Sequence, residues 1–337
     1  MNKQVLVIGG GPAGLEAAGQ LENLGYKAYI VEKSDKLGGH LLKWDRLFPE
    51  SISAAETLQK LLEPVGHITT FLDCTVVSVS KTGEHFSVQL SNDATLNVSA
   101  IIVSAGFSLF PAEKKEEYGY NIYNRVITSA DLEDFFKTGS DSRIQNPKSV
   151  GFVHCVGSRD EKACNRQCSK VCCITAVKQA CEIKEQYPDA DIYCFYMDLR
   201  MYGRGYEDLY LEAQSKYGIR FIRGRVSEVA EDETGKLVIK AEDTLSSKPL
   251  KITLDLLVLM VGMIKNADNE NLSSLLNTRL GDDGFFQSAS PILRSTEGEI
   301  AGIFFAGAST GPKTLPESIN EAKASALAIH GYLSKQK

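Results

Sequence analysis

The chain has 337 residues, 43% of them hydrophobic and 24% charged, with a formal net charge of −6. That length suits two domains of ordinary globular composition, and an acidic chain with no basic stripe argues against nucleic acid as a partner. The longest apolar runs, such as Leu256–Val261, are strand-sized and far below the ~20 residues that span a bilayer. The N-terminus shows no charged-then-apolar leader. The expectation is a cytoplasmic protein without direct membrane insertion.

The first residues carry the clearest pattern. Residues 5–8 form an apolar β run, and Gly9-x-Gly11-x-x-Gly14 follows at once. Residues 13–24 read as a helix with Leu15, Ala18 and Leu21 on one face, Lys27–Val31 as a second strand, and Glu32 stands at its end. Each part has a job in binding a dinucleotide. Gly9 permits the tight turn, Gly11 lets the backbone approach a pyrophosphate, and Gly14 lets helix and strand pack closely. The helix N-terminus offers unpaired N–H groups to the anion. Glu32 can accept hydrogen bonds from the adenosine ribose hydroxyls, which favours a ribose without a 2′-phosphate. This spacing does not separate NAD from FAD.

Further segments bear on that choice. Glu32-Lys33 is followed by Leu37-Gly38-Gly39-His40. Residues 101–106 run Ile-Ile-Val-Ser-Ala-Gly, and residues 301–308 run Ala-Gly-Ile-Phe-Phe-Ala-Gly-Ala. Together these resemble the two-dinucleotide-binding flavoproteins of the thioredoxin-reductase-like superfamily. The resemblance implies an α/β fold of two Rossmann-like domains, each of three layers (β/β/α), the second inserted in the first. It also implies FAD, held by Gly9, Gly11, Pro12, Ala13, Glu32, Lys33, Gly39, His40, Val76, Ala105, Gly106, Gly307, Ala308, Lys313 and Ile319. The superfamily commonly ends its late strand in Gly-Asp, whose carboxylate bonds the ribityl chain. Here the sequence is Gly307-Ala308-Ser309, so the Ser309 hydroxyl or backbone N–H groups would take over. A helix over about residues 317–333, with Pro316 suiting its first turn, would aim its positive end at the flavin pyrimidine. Lys313 is a candidate for placing charge near the isoalloxazine, or a solvated loop lysine.

The eight cysteines are unevenly placed. Cys74, Cys181 and Cys194 read as small apolar residues of strands or a helix. The other five, Cys155, Cys164, Cys168, Cys172 and Cys173, fall within nineteen residues. They lie between a strand at 149–154 and a helix at 174–186, with another strand at 191–197. This βαβ order is that of a second dinucleotide domain, but the glycine fingerprint between strand and helix is absent. Three readings compete for such a cluster in a cytosolic chain. A zinc site accommodates Cys168-x₃-Cys172 but not easily the adjacent Cys172-Cys173. A redox dithiol would be Cys-x-x-Cys, which occurs nowhere in the chain. An iron–sulfur cluster tolerates irregular cysteine loops and suits a flavin partner.

The segment 155–173, with Tyr202-Gly203-Arg204-Gly205-Tyr206-Glu207 and Phe221-Ile222-Arg223-Gly224-Arg225-Val226, is similar to the A subunits of heterodisulfide reductases. That resemblance implies a [4Fe–4S] cluster on Cys155, Cys168, Cys172 and Cys173, with Cys164 outside the pattern as a spare thiol or alternative ligand. It implies a homodimer, and iron–sulfur B- and C-type partner subunits of a heterodisulfide reductase-like complex. The ferredoxin-type cysteine runs of long members are missing, which reads as a short, core-only form. The expected organisation is an FAD domain at 1–108 and 256–337, a polar connection at 109–147, and an inserted module at 148–255 carrying the cysteines. The expected activity is electron transfer between flavin and cluster, with no catalytic acid or base named. The alternatives are a stand-alone NAD(P)H-dependent disulfide reductase, and an assembly scaffold with a vestigial flavin.

Overall fold

The computed structural model describes residues 3–336; residues 1, 2 and 337, the outer ends of the expected FAD segments, lie outside the described residues. The chain divides into two compact units. The first comprises residues 1–42, 54–108 and 264–337, and the second comprises 43–53 and 109–263.

The first unit is built on a five-stranded parallel sheet in the order Ile303–Phe305, Ala100–Val103, Gln4–Ile8, Lys27–Val31, Thr69–Phe71. A three-stranded antiparallel sheet, Val76–Thr82, His85–Leu90 and Thr95–Val98, supplies a second β layer. Helices Pro12–Asn23 and Leu315–Leu333 supply the α layer. The strands are apolar at consecutive positions because both faces of a covered parallel sheet are buried: Val5, Leu6, Val7 and Ile101 to Val103 are all fully buried. Leu6, Ile8, Ile101 and Val103 pack with Phe86, Val88 and Leu90 of the antiparallel layer.

The second unit repeats this architecture. Its parallel sheet runs Val126–Thr128, Leu256–Val261, Ser149–Val156, Asp191–Tyr196, Arg220–Arg223. Its antiparallel layer is Val226–Glu231, Leu237–Asp243 and Lys248–Leu254. Helices Ser129–Thr138 and Cys172–Gln186 face the other side, where Phe152 and Val258 meet Ile174, Val177 and Ile183. Val153, Leu257 and Leu259 point the opposite way, onto Val229 and Ile239. The outermost strand on one side of the sheet comes at the end of the chain in the first unit (303–305) and at the beginning in the second (126–128).

The second unit therefore interrupts the first, as expected, but three boundaries differ. Leu256–Val261 is not a strand of the FAD-type unit. It pairs on both sides within the inserted unit, with Ser149–Val156 and Val126–Thr128. An all-apolar run announces a doubly covered strand without saying which sheet covers it. Residues 109–147 are not a mere connection. They contribute the edge strand and a helix with a complete capping box between Thr128 and Asp131. Residues 43–53 belong to the second unit, because buried side chains there hold their backbone: Glu133 accepts from the Asp45 N–H at 3.0 Å and Lys178 donates to the Arg46 carbonyl at 2.9 Å. Among the described residues no helix is long and apolar enough to cross a membrane.

Candidate functional site

In the first unit the strand Gln4–Ile8 ends in the glycine turn, and the helix begins at Pro12. Gly9 has φ +106, and a Cβ on it would lie 2.5 Å from the Ser104 carbonyl oxygen. A Cβ on Gly14 would overlap the Gly9 carbonyl oxygen, so only glycine lets helix and turn meet. Over Gly11 the nearest atom to a Cβ is the Gly39 Cα at 3.9 Å, and over Gly106 nothing lies within 4 Å. The helix has no side-chain cap and no acidic residue in its first turn. The residues thus form a bare backbone cradle with unpaired helix N–H groups, which fits a pyrophosphate.

Glu32 is buried, and one carboxylate oxygen accepts from the Gly10 N–H at 2.7 Å. The other accepts from the Ser34 N–H and hydroxyl at 2.9 and 2.6 Å. With about four acceptor sites on a carboxylate, roughly one remains for a ribose hydroxyl. Lys33 points instead to Asp268, at 2.5 Å and half exposed. His40 stacks on Phe107 with ring centroids 4.1 Å apart, and its Nε2 lies 3.1 Å from the Phe107 carbonyl. Val76 is buried at the start of the antiparallel layer's first strand, and Ile319 is half-buried on the C-terminal helix.

The late strand leads into a short 3₁₀ turn, Gly307–Thr310, containing Gly307 and Ala308. The expectation for Ser309 does not hold. Its hydroxyl is fully buried and donates within the protein to the Val103 and Ala306 carbonyls, at 3.1 and 3.0 Å. Lys313 is not a solvated loop lysine: it reaches the Gly307 carbonyl at 3.1 Å and Glu321 at 3.2 Å. The C-terminal helix starts at Leu315, capped reciprocally by Thr314 and Glu317. Two supporting residues carried no sequence flag. The Ser104 hydroxyl donates to the Ile8 and Gly9 carbonyls at 3.0 and 2.9 Å, and Asn266 donates to the Ala105 carbonyl at 2.6 Å.

In the second unit the corresponding strand ends differently. Its register against Leu256–Val261 shifts between Val153 and Val156, a bulge at His154-Cys155, and Cys155 has φ +60. Bulges re-aim side chains, and here one turns Cys155 toward the helix. The chain then forms a hairpin closed by Asp160 and Asn165. Buried Asp160 is held by Lys115 at 2.8 Å and accepts from the Lys162 N–H at 2.9 Å. Asn165 donates to the Gly157 and Met263 carbonyls at 2.7 and 3.2 Å.

Cys172 and Cys173 are the first two residues of the following helix, which starts slightly earlier than the sequence suggests. Cys155, Cys172 and Cys173 are buried, and the sulfurs of Cys155 and Cys172 lie 3.9 Å apart. Cys168 is half-buried, and its sulfur accepts from the Lys170 N–H at 3.3 Å. The neighbouring Cys172 thiol draws the Cys173 and Cys155 thiols below the ordinary range, against the opposing effect of burial. Cys172 itself, beside both, is pushed up. Two of the buried sulfurs therefore lean toward the thiolate that metal binding requires. Cys164 stands apart: it is exposed near the hairpin tip and lines an open cavity with Lys114, Lys115 and Lys162. Cys74, Cys181 and Cys194 are buried as expected of apolar residues.

Among the described residues no group of three or more His, Cys, Asp or Glu side chains is arranged to hold a single metal ion. What the loop does show is unspent donors. Among the described residues eleven buried side-chain nitrogens and oxygens have no hydrogen-bond partner, and four of them belong to His154, Ser158 and Arg159. A native interior leaves few such atoms, and each calls for an explanation. Four together beside thiols fit an acceptor-rich, negatively charged group.

Residues 1–136 match a family model for pyridine nucleotide-disulphide oxidoreductases. The iron-sulfur A subunit of the CoB–CoM heterodisulfide reductase of Methanocaldococcus jannaschii is 31% identical, over 98% of this chain and 64% of that protein. The second such A subunit of Methanopyrus kandleri is 32% identical, over 96% of this chain and 63% of that protein. The chain thus spans less than two thirds of these relatives. The first alignment runs over 420 positions against 337 residues here, so the relative carries insertions within the matched region. Among solved structures, a thioredoxin reductase from Lactococcus lactis superposes with a TM-score of 0.69 at 17% identity, covering 99% of each chain. Over nearly all of its length the chain is thus similar to heterodisulfide reductase A-type subunits, and its fold is the thioredoxin-reductase-like one.

Proposed function

We propose that the chain is an FAD- and [4Fe–4S]-dependent electron-transfer oxidoreductase, acting as the A-type subunit of a heterodisulfide reductase-like complex. The observation that carries this reading is the contrast between two equivalent strand–turn–helix junctions. One keeps a bare glycine cradle. The other replaces it with Cys155, Cys168, Cys172 and Cys173 and a set of unspent donors. When bound, FAD supplies two-electron chemistry and the cluster supplies one-electron steps.

The chain's own residues bind and orient. Gly9, Gly11 and Pro12 shape the turn so that the first free helix N–H groups, those of Ala13 and Gly14, meet the FAD pyrophosphate, and Glu32 takes the ribose. His40, Ala105, Gly106, Gly307 and Ala308 line the flavin's course, joined by Lys33, Gly39, Val76 and Ile319. Lys313 stands at the capped helix end, its charge shared with Glu321. A [4Fe–4S] cluster takes one thiolate per iron, which Cys155, Cys168, Cys172 and Cys173 would supply. Iron–sulfur B- and C-type subunits in the cytoplasm would exchange electrons with the cluster, and the protein would work as a homodimer.

Anaerobic purification of the chain with its partner subunits tests the reading. About four irons and one FAD per chain are expected, with flavin that a partner reduces and NADPH alone does not. Zinc-loaded, iron-free protein, or rapid NADPH-driven disulfide turnover by the isolated chain, would overturn it.

A further inference from the structure

His154 is the least satisfied polar residue of the cysteine loop. It is 6% exposed, and neither ring nitrogen has a hydrogen-bond partner. It sits in the strand bulge directly before Cys155, one of the four candidate ligands. The Tyr196 ring, 6.4 Å away and tilted by 55°, walls one side. An imidazole always carries at least one N–H, so a donor is available whatever the tautomer.

We infer that His154 donates a ring N–H hydrogen bond to a sulfur of the cluster held by the adjoining cysteines, and thereby sets the cluster's reduction potential. This rests on the cluster reading above. Reduction adds one electron and one negative charge to the cluster. A donor aimed at its sulfurs stabilises the more negative state and raises the potential. Arg159 adds positive charge on the same loop, but one of its guanidinium nitrogens is already bound to Asp198 at 2.7 Å. His154 has no such competing partner. It is a positioning and tuning residue, not a ligand, because Cys155, Cys168, Cys172 and Cys173 complete the set of four.

The test is an EPR-monitored potentiometric titration of the anaerobically purified full chain, with dithionite as the electron donor. Wild type is compared with His154→Phe, His154→Asn and His154→Gln. Asn presents an N–H near the place of the imidazole Nδ1, and Gln near that of Nε2. The Phe variant is expected to keep its iron and lose about tenfold in the reduction equilibrium, a midpoint lower by about 59 mV for one electron. Asn or Gln restores the wild-type midpoint, and which of them does so names the donating nitrogen.

An iron-replete Phe variant with the wild-type midpoint overturns the inference. So do iron-replete Asn and Gln variants that both stay about tenfold low, which decides the matter if the Phe variant fails to assemble. Iron-free wild-type protein fails at the metal count instead, and takes the cluster reading down with the inference.

Discussion

The substitution Glu182→Gln should stabilise the protein at pH 8 and do little at pH 5. Glu182 lies on the helix Cys172–Gln186, 5% exposed, and neither carboxylate oxygen has a hydrogen-bond partner. Lys178 stands 3.4 Å away but is 2.6 Å from Glu133, so one buried ammonium serves two buried carboxylates. Burial pushes the Glu182 carboxyl up to about 7, with the Lys178 charge opposing and the Glu133 charge adding. Below the ordinary value near 4.5 the group is protonated in both folded and unfolded chains, and no penalty arises.

Between about 4.5 and 7 the unfolded chain ionises while the folded one holds its proton, so stability falls as pH rises. Above 7 the loss is complete, at most about 3 kcal/mol for a shift of this size. Gln removes the charge and forfeits the contact with Lys178, which leaves a net gain of about 1–2 kcal/mol at pH 8. In the thermal midpoint that corresponds to a rise of roughly 2–8 °C. The assay is the variant-minus-wild-type midpoint at pH 5 and at pH 8. A difference that is the same at both values would refute the argument, because a pH-independent effect cannot come from this proton.

Four other substitutions separate parts of the site. Gly14→Ala places a methyl on the Gly9 carbonyl, so bound FAD, read by its visible flavin absorbance, should fall at least about tenfold while the second unit's circular dichroism persists. Ser309→Ala should cost about 1–2 kcal/mol of stability and leave the flavin spectrum and midpoint unchanged, because its hydroxyl is spent on carbonyls. Cys164→Ser should retain the full iron content whereas Cys172→Ser loses most of it, as counted by colorimetric iron assay.

Short-range patterns were the legible part of the sequence. The glycine turn needs only neighbouring residues to be read, and the strand and helix around it fall within a residue of expectation. The capping box at Thr128 and Asp131 was equally local, and it marks the helix that a reading of 109–147 as a connection missed. Other features depend on partners far along the chain. The sheet that takes in Leu256–Val261 is set by pairing with residues about a hundred positions away. The hold on residues 43–53 comes from Glu133 and Lys178, and the Ser309 hydroxyl finds Val103. The bulge that turns Cys155, and leaves His154 without a partner, is a register irregularity that no spacing of residue types announces.

The central claim is that the cysteine loop holds iron where an equivalent glycine turn holds a pyrophosphate. Mössbauer spectroscopy of ⁵⁷Fe-enriched protein, purified anaerobically, tests it most directly. The account predicts about four irons per chain, all in the signature of one [4Fe–4S] cluster. One equivalent of zinc with no iron, or iron in a mononuclear site, would contradict it.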